Sequence, residues 1–404
     1  MKNFTDLLER YPINGTFELT ARCNLKCKMC LIRIDRDRME ELGGRERTAN
    51  EWIQLARQVH EAGTIGLLLT GGEPMLRPDF ITIYKEVAKM GFLLTLYTNA
   101  TMVTPEIMKV LKEYPPHMIG ITIYGASPET YENVTGNAKA YERMLAGVEQ
   151  LRKLPSKLIL RTTLIKDNIE DLDKISRWAC SFGKNVDFNV SRIVTKPVRG
   201  GISDVESCRL TPEQNVAMLK ERNMDFIVKP FHRYLKEHPE IKMNQRMISQ
   251  NTYRKDKNFL SDIPFQIIKS EEQGDKKNEN STHKPTLYGC DAGINSYTIT
   301  WDGKLIGCQL LGDCWTYPLE TGFLKAWDEF PEHVFMPPLP AKCMECKVTC
   351  NACPATRLAE TGLLNGHPAY ICKEGILAKE MEEELIDNIK EKIERKKEKY
   401  YETL

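Results

Sequence analysis

Cys23, Cys27 and Cys30 form a Cys-x3-Cys-x2-Cys run directly after an apolar stretch at residues 15–21. Three thiolates that close in sequence build no element of their own, but they can converge on three irons of one cuboidal cluster. The fourth iron then has no protein ligand. An open iron can bind a substrate or cosubstrate, and that separates a reactive cluster from one that only carries electrons. A zinc site competes with this reading, although a closed structural zinc takes four ligands. Further on, Gly71, Gly72, Glu73 and Pro74 follow an apolar run at 64–70. Two glycines let a backbone approach a ligand closely, and a glutamate accepts from an ammonium group. A second cysteine field comprises Cys290, Cys308, Cys314, Cys343, Cys346, Cys350, Cys353 and Cys372, leaving Cys180 and Cys208 apart.

Alternating strands and helices must position these groups. Runs at 16–20, 64–70, 92–97, 118–124, 158–165 and 186–190 are short, apolar and often β-branched, as buried parallel strands are. Between them, 50–62, 79–90, 104–113, 141–154 and 169–182 carry apolar residues at helical spacing. The economical reading is an α/β fold, a partial (β/α)6 TIM-like barrel whose ligands sit at the C-terminal ends of the strands. The cysteines follow the first strand and the glycine pair the second. Asn99 ends the third, Thr122 lies on the fourth and Thr163 on the fifth.

The cysteine spacing and the Gly-Gly-Glu-Pro turn together resemble the radical SAM enzymes. That resemblance implies that S-adenosylmethionine chelates the open iron, that the 71–74 turn receives its methionyl amine, and that Asn99, Thr122 and Thr163 contact its ribose and methionine parts. In the second field, Cys290, an alternating segment, an Asp302-Gly303 turn and Cys308 describe a β-hairpin that brings two distant cysteines together. This field resembles the SPASM domain, a small cysteine-rich α+β extension that holds two auxiliary [4Fe-4S] clusters. Carried over by position, Cys343, Cys346, Cys350 and Cys372 hold one cluster and Cys290, Cys308 and Cys353 the other. Cys314 is the fourth ligand of the latter, or its iron stays open. The spacing from Cys346 to Cys353 is shorter than the family's, and a zinc ribbon is the alternative for the whole field.

Length and charge bound the rest. The chain has 404 residues and a net charge of +1, so no global field draws it to nucleic acid or membrane. The first residues carry acids and lack a signal-peptide core, no run spans a bilayer, and the clustered thiols fit a reducing, cytoplasmic compartment. The expected organisation is a barrel over 1–198, a bridging region over 199–285, the auxiliary-cluster domain over 286–375 and an amphipathic helix over 376–404. In the bridging region, helices are expected at 211–222 and 232–237 and a polar linker at 270–283. Cys180 reads as a core residue and Cys208 as a loop thiol.

The resemblance implies reductive cleavage of S-adenosylmethionine to a 5'-deoxyadenosyl radical, fed by an external flavodoxin- or ferredoxin-like donor, and hydrogen abstraction from a peptide or protein. About a dozen residues precede the first strand, too few for an N-terminal peptide-recognition domain, so a peptide would be recognised elsewhere. A small-molecule, sugar-type dehydrogenase or epimerase is the second reading and a multi-cluster electron carrier the third. The sequence names no catalytic acid, base or hydrogen donor.

Overall fold

The computed structural model describes residues 10–183, 186–222, 241–243, 265–267, 287–312, 314–348, 350 and 352–402. The chain divides into two compact units. The first comprises Met1–Leu210, Lys284–Glu345 and Ala352–Pro368; the second comprises Thr211–His283, Cys346–Asn351 and Ala369–Leu404.

In the first unit, six strands run in chain order: β1 (Asn14–Glu18), β2 (Gly66–Thr70), β3 (Leu93–Thr98), β4 (Met118–Thr122), β5 (Lys157–Thr163) and β6 (Val186–Ser191). Each pairs in parallel with the next. The intervening helices are α1 (Arg36–Glu41), α2 (Ala49–Glu61), α3 (Phe80–Ala88), α4 (Pro105–Glu113), α5 (Pro128–Thr135), α6 (Ala140–Leu151) and α7 (Leu172–Cys180). Along β1 to β5 one set of alternate residues, among them Phe17, Leu67, Leu69, Leu94, Leu96, Ile119, Ile121, Leu158 and Leu160, is buried against the helices. Each such side chain contributes roughly 1.5–3 kcal/mol. The other set, which includes Thr70, Tyr97 and Thr122, is half-buried and lines the cavity described below. This is the expected partial TIM-like barrel.

Sequence reasoning missed α1 and α5. Helix α5 nevertheless carries its signals: Ser127 caps the amide of Thr130, Pro128 opens the first turn, and Gly136 closes it at φ 68°. Its apolar stripe is short, which hides the helical period.

The hairpin of the second cysteine field does not stand apart from the barrel. After β7 (Ile241–Met243) and β8 (Phe265–Ile267), an antiparallel pair in the second unit, come β9 (Ser296–Ile299) and β10 (Leu305–Ile306). Strand β9 pairs in parallel with β1, from Asn14 opposite Ser296 to Phe17 opposite Ile299, and β10 returns antiparallel. The sheet therefore has eight strands in the order β10-β9-β1-β2-β3-β4-β5-β6. The reason is physical. Strand β1 would otherwise leave an edge of unpaired backbone groups, and the hairpin covers it. Tyr297 and Ile299 are buried, and the Tyr297 hydroxyl lies 2.9 Å from Thr64 Oγ1. Phe323 and Trp327 pack on the Tyr297 ring.

In the second unit, the helix Pro212–Arg222 and the long helix Ala369–Glu402 meet through Val216 and Met381. Met381 and Leu385 of the expected apolar stripe are buried. The side chains of Ile389 and Ile393, and the expected elements at 232–237 and 270–283, lie outside the described residues. Cys208 ends the short helix α8 (Val205–Cys208) and is buried in the first unit, while Cys180 is exposed at the end of α7. The core reading of Cys180 is thus corrected: the buried face of α7 runs through Leu172, Ile175 and Ala179, and Cys180 falls one position past it. Among the described residues no helix is long and apolar enough to cross a membrane.

A Cβ at Gly15 would lie 2.5 Å from the Tyr297 hydroxyl and 3.1 Å from Leu67. Gly15→Val should therefore cost about 1–3 kcal/mol through overpacking, read as a lowered urea midpoint with an unchanged slope.

Candidate active site

Two backbone segments meet at the C-terminal ends of β1 and β2. The amide of Gly72 donates to Thr20 O at 2.8 Å and that of Glu73 to Arg22 O at 2.9 Å. Their approach leaves no room for side chains. A Cβ at Gly71 would lie 2.4 Å from Thr20 O, and one at Gly72 2.2 Å from Arg22 O. Gly71 also adopts φ 138°, which L side chains rarely do. The glycines thus fix the chain entering the cysteine loop. That loop is held from the other side by α5, with the Lys26 amide on Thr135 O and the Lys28 amide on Val134 O, and by the Lys28–Asp167 ion pair at 2.7 Å.

Cys23, Cys27 and Cys30 line one cavity of about 320 Å³ together with Gly71, Gly72, Tyr97, Asn99, Thr122 and Tyr124. Burial drives all three thiols upward, Cys23 to about 12 and Cys27 and Cys30 away from their ordinary value. A metal centre in that cavity would supply the charge that compensates three thiolates. The donor set and the space fit a cluster held at three corners.

The other expected residues fall in three places. Asn99 is at the cavity wall, but its side chain is engaged with the loop. Nδ2 donates to Asn24 Oδ1 at 3.0 Å and toward Cys23 Sγ at 3.7 Å, and Oδ1 accepts from Thr101. The next residue, Ala100, is held at φ 59°, the left-handed region that costs a non-glycine residue energy. Glu73 is fully buried with its carboxylate turned inward, accepting from the amides of Asn99 (2.8 Å) and Met75 (3.1 Å) and from the Thr98 hydroxyl at 2.9 Å. The wall here is the glycine backbone, with Glu73 and the buried Pro74 behind it. Thr163 lines an adjoining cavity of about 430 Å³ with Arg161, Asn189, Ser191 and Arg192, which shares only Thr122 with the first.

Sequence reasoning missed Tyr124, whose hydroxyl hydrogen-bonds the Cys27 thiol, and Tyr97, whose ring carries the Arg161 guanidinium at 4.6 Å. A signal existed for both tyrosines. Tyr124 is two residues past Thr122, on the same face of the run, and Gly120 opposite Tyr97 leaves room for that ring, since a Cβ there would lie 2.6 Å from it.

In the second field, Cys308 is partly buried with the Cys290 and Cys353 thiols as electrostatic neighbours. Cys314 is buried with its sulfur 3.1 Å from the Tyr288 hydroxyl. Cys343 accepts from Arg357 at 3.4 Å within the first unit. Cys346, Cys350 and Cys372 belong to the second unit, where Cys350 packs on Gly375 of the long helix, 2.9 Å from the position a Cβ would take there.

Burial raises the Glu73 carboxyl from 4.5 to about 7, against its hydrogen bonds. The folded state then holds a proton that the unfolded chain has lost, so Glu73 lowers stability as pH rises through that window. Across it, wild type should lose on the order of 3 kcal/mol relative to Glu73→Gln, measured by denaturant unfolding of both proteins at pH 5 and pH 8.

The radical SAM superfamily profile matches residues 17–179. An AdoMet-dependent heme synthase of Methanosarcina barkeri is 35% identical over 167 residues, 41% of this chain and 47% of that protein. A PqqA peptide cyclase of Bradyrhizobium diazoefficiens is 23% identical over 235 residues, 55% of this chain and 59% of that protein. The chain thus spans about half the length of the curated relatives it matches. The structure of anSMEcpe with bound AdoMet and Cp18Cys peptide matches with a TM-score of 0.57 over 94% of this chain and 99% of that one, at 15% identity, a likeness of fold. The matched segment contains Cys23, Cys27, Cys30 and the glycine turn at residues 71–74, so it is over residues 17–179 that the chain is similar to the radical SAM superfamily.

Proposed function

We propose that this chain abstracts hydrogen from a peptide or protein, using a [4Fe-4S] cluster on Cys23, Cys27 and Cys30 with S-adenosylmethionine, and that the second cysteine field holds two auxiliary clusters in a SPASM-type arrangement. The observation that carries the reading is the convergence of three thiols and the glycine turn on one cavity. When bound there, the cluster and its cosubstrate supply reductive cleavage of a sulfonium and a 5'-deoxyadenosyl radical.

The chain's own residues do the rest. The Gly71 and Gly72 backbone presents close-approach polar groups to an amino acid. Asn24, Asn99 and Thr101 hold the cysteine loop rigid. Tyr124 and Tyr97 wall the cavity with aromatic surface that limits water. The adjoining cavity, walled by Arg161, Asn189 and Arg192, offers space for a polar substrate group beside the radical source. Cys290, Cys308 and Cys353 are near neighbours that suit a second cluster; Cys343, Cys346, Cys350 and Cys372 are assigned to the other by sequence position alone. An external one-electron donor of flavodoxin or ferredoxin type completes the scheme.

Support for a peptide substrate comes from the relative named PqqA peptide cyclase and the peptide-bound anSMEcpe structure. A small-molecule substrate has its own support in the relative named heme synthase.

Anaerobically reconstituted protein should carry roughly twelve irons, falling to about eight when Cys23, Cys27 and Cys30 are all replaced by Ala, by iron and sulfide assay with Mössbauer spectra. Reduced wild type should convert S-adenosylmethionine to 5'-deoxyadenosine, and the triple variant should not. Retained turnover in the variant would refute the assignment.

A further inference from the structure

The cysteine loop carries a run of positive charge that nothing in the proposed reaction uses. From Arg22 to Ile34 it holds Arg22, Lys26, Lys28 and Arg33 and no acid. Two of the four are neutralised, Arg22 by Glu46 at 2.8 Å and Lys28 by Asp167 at 2.7 Å. Lys26 is exposed, and among the described residues no carboxylate pairs with it. Its neighbours extend the charge. A Cβ at Gly136 would lie 3.9 Å from Lys26 Cβ, and three residues on, at the entry to α6, stands the exposed Lys139. On the other flank, beside Asp167, Lys166 is exposed with its ammonium on the Ser207 carbonyl at 3.1 Å. Glu132, which accepts from the Ala138 amide at 2.6 Å, is an exposed acid at the same turn. The face keeps a positive surplus over it.

Position gives that charge a use. Lys26 and Lys28 are the sequence neighbours of Cys27, so a partner resting on them is separated from that thiol by one thickness of chain. Breaking a carbon–sulfur bond of a sulfonium to give methionine and a 5'-deoxyadenosyl radical consumes one electron, which an outside donor must deliver near the cysteine loop. A basic face speeds the encounter with an acidic partner and orients it. We propose that Lys26, Lys28, Lys139 and Lys166 form the docking surface of an acidic one-electron donor protein. This rests on the reading that Cys23, Cys27 and Cys30 hold a cluster. The donor loses one electron and the sulfonium takes it up, so no further reactant is needed. An electron-transfer encounter is brief and small in area, and charge rather than apolar burial selects the partner.

The test sets two reductants of opposite charge against the full reconstituted chain, reading 5'-deoxyadenosine formed from S-adenosylmethionine. Lys26 lines the first cavity, so the variants are placed on Lys139 and Lys166, which line neither cavity. With flavodoxin kept reduced by its reductase, at low ionic strength, Lys139→Glu combined with Lys166→Glu should slow the reaction about tenfold. With electrochemically reduced methyl viologen, a cation, the same variant should match or exceed wild type. Salt at about 0.5 M should bring the flavodoxin-driven wild type down toward the variant. Lys139→Arg combined with Lys166→Arg should keep the wild-type rate, which separates charge from shape. A flavodoxin-driven rate indifferent to both charge reversal and salt would overturn the docking surface. So would an equal loss with both reductants at full iron content, which would make the lysines part of the site itself. Wild type that forms no 5'-deoxyadenosine with either reductant would overturn the cluster reading, and the docking surface with it.

Discussion

The site depends on the contact between two stretches of backbone, residues 20–22 leaving β1 and residues 71–73 leaving β2. Parallel pairing of β1 with β2 brings the two strand ends side by side, and only hydrogen atoms at 71 and 72 let them close to hydrogen-bonding distance. The contact aims the cysteine loop and places Gly71 and Gly72 at the cavity wall beside it. It also turns Glu73 inward, where its carboxylate ties the end of β3 to the end of β2. Three strand ends thereby become one rigid rim, which suits chemistry that must hold a radical precursor in a single geometry.

Around that rim the charged side chains are clasps. Arg77 is buried, donating to Leu19 O and Arg47 O while pairing with Asp79, and Arg47 reaches the hairpin turn at Asp302 O with its Nε at 2.7 Å. These bonds join β1, the loop after α1 and the β9–β10 hairpin around the cavity of the cysteine loop. The second cysteine field therefore enters the barrel through its hairpin, and Cys308 is placed by the same sheet that places Cys23.

Much of this was legible in the sequence because it follows from period and spacing. Six strands and five of the helices announced themselves by alternation and by apolar stripes, and the cysteine triplet and glycine pair by chemistry that few other patterns need. The pairing of β9 with β1 was hidden, since strand order across some 280 residues leaves no local trace. The roles of Asn99 and Glu73 were hidden for a related reason. A polar residue at a strand end reads the same whether it faces a ligand or braces its neighbours, and in this fold both side chains brace. The buried ion pair of Glu18, at the end of β1, with Arg199 was invisible because its partners are 181 residues apart and only the fold brings them together.

The central claim is that Cys23, Cys27 and Cys30 would hold an iron–sulfur centre by three corners beside the glycine turn, leaving one iron for a cosubstrate. Electron–nuclear double resonance on the reduced protein with S-adenosylmethionine labelled with nitrogen-15 at its amino group tests it most directly. The account predicts a strong coupling between that nitrogen and the cluster, lost when Cys23, Cys27 and Cys30 are replaced. A reduced four-iron signal with no nitrogen coupling, at saturating cosubstrate, would mean that the fourth iron is closed and would contradict it.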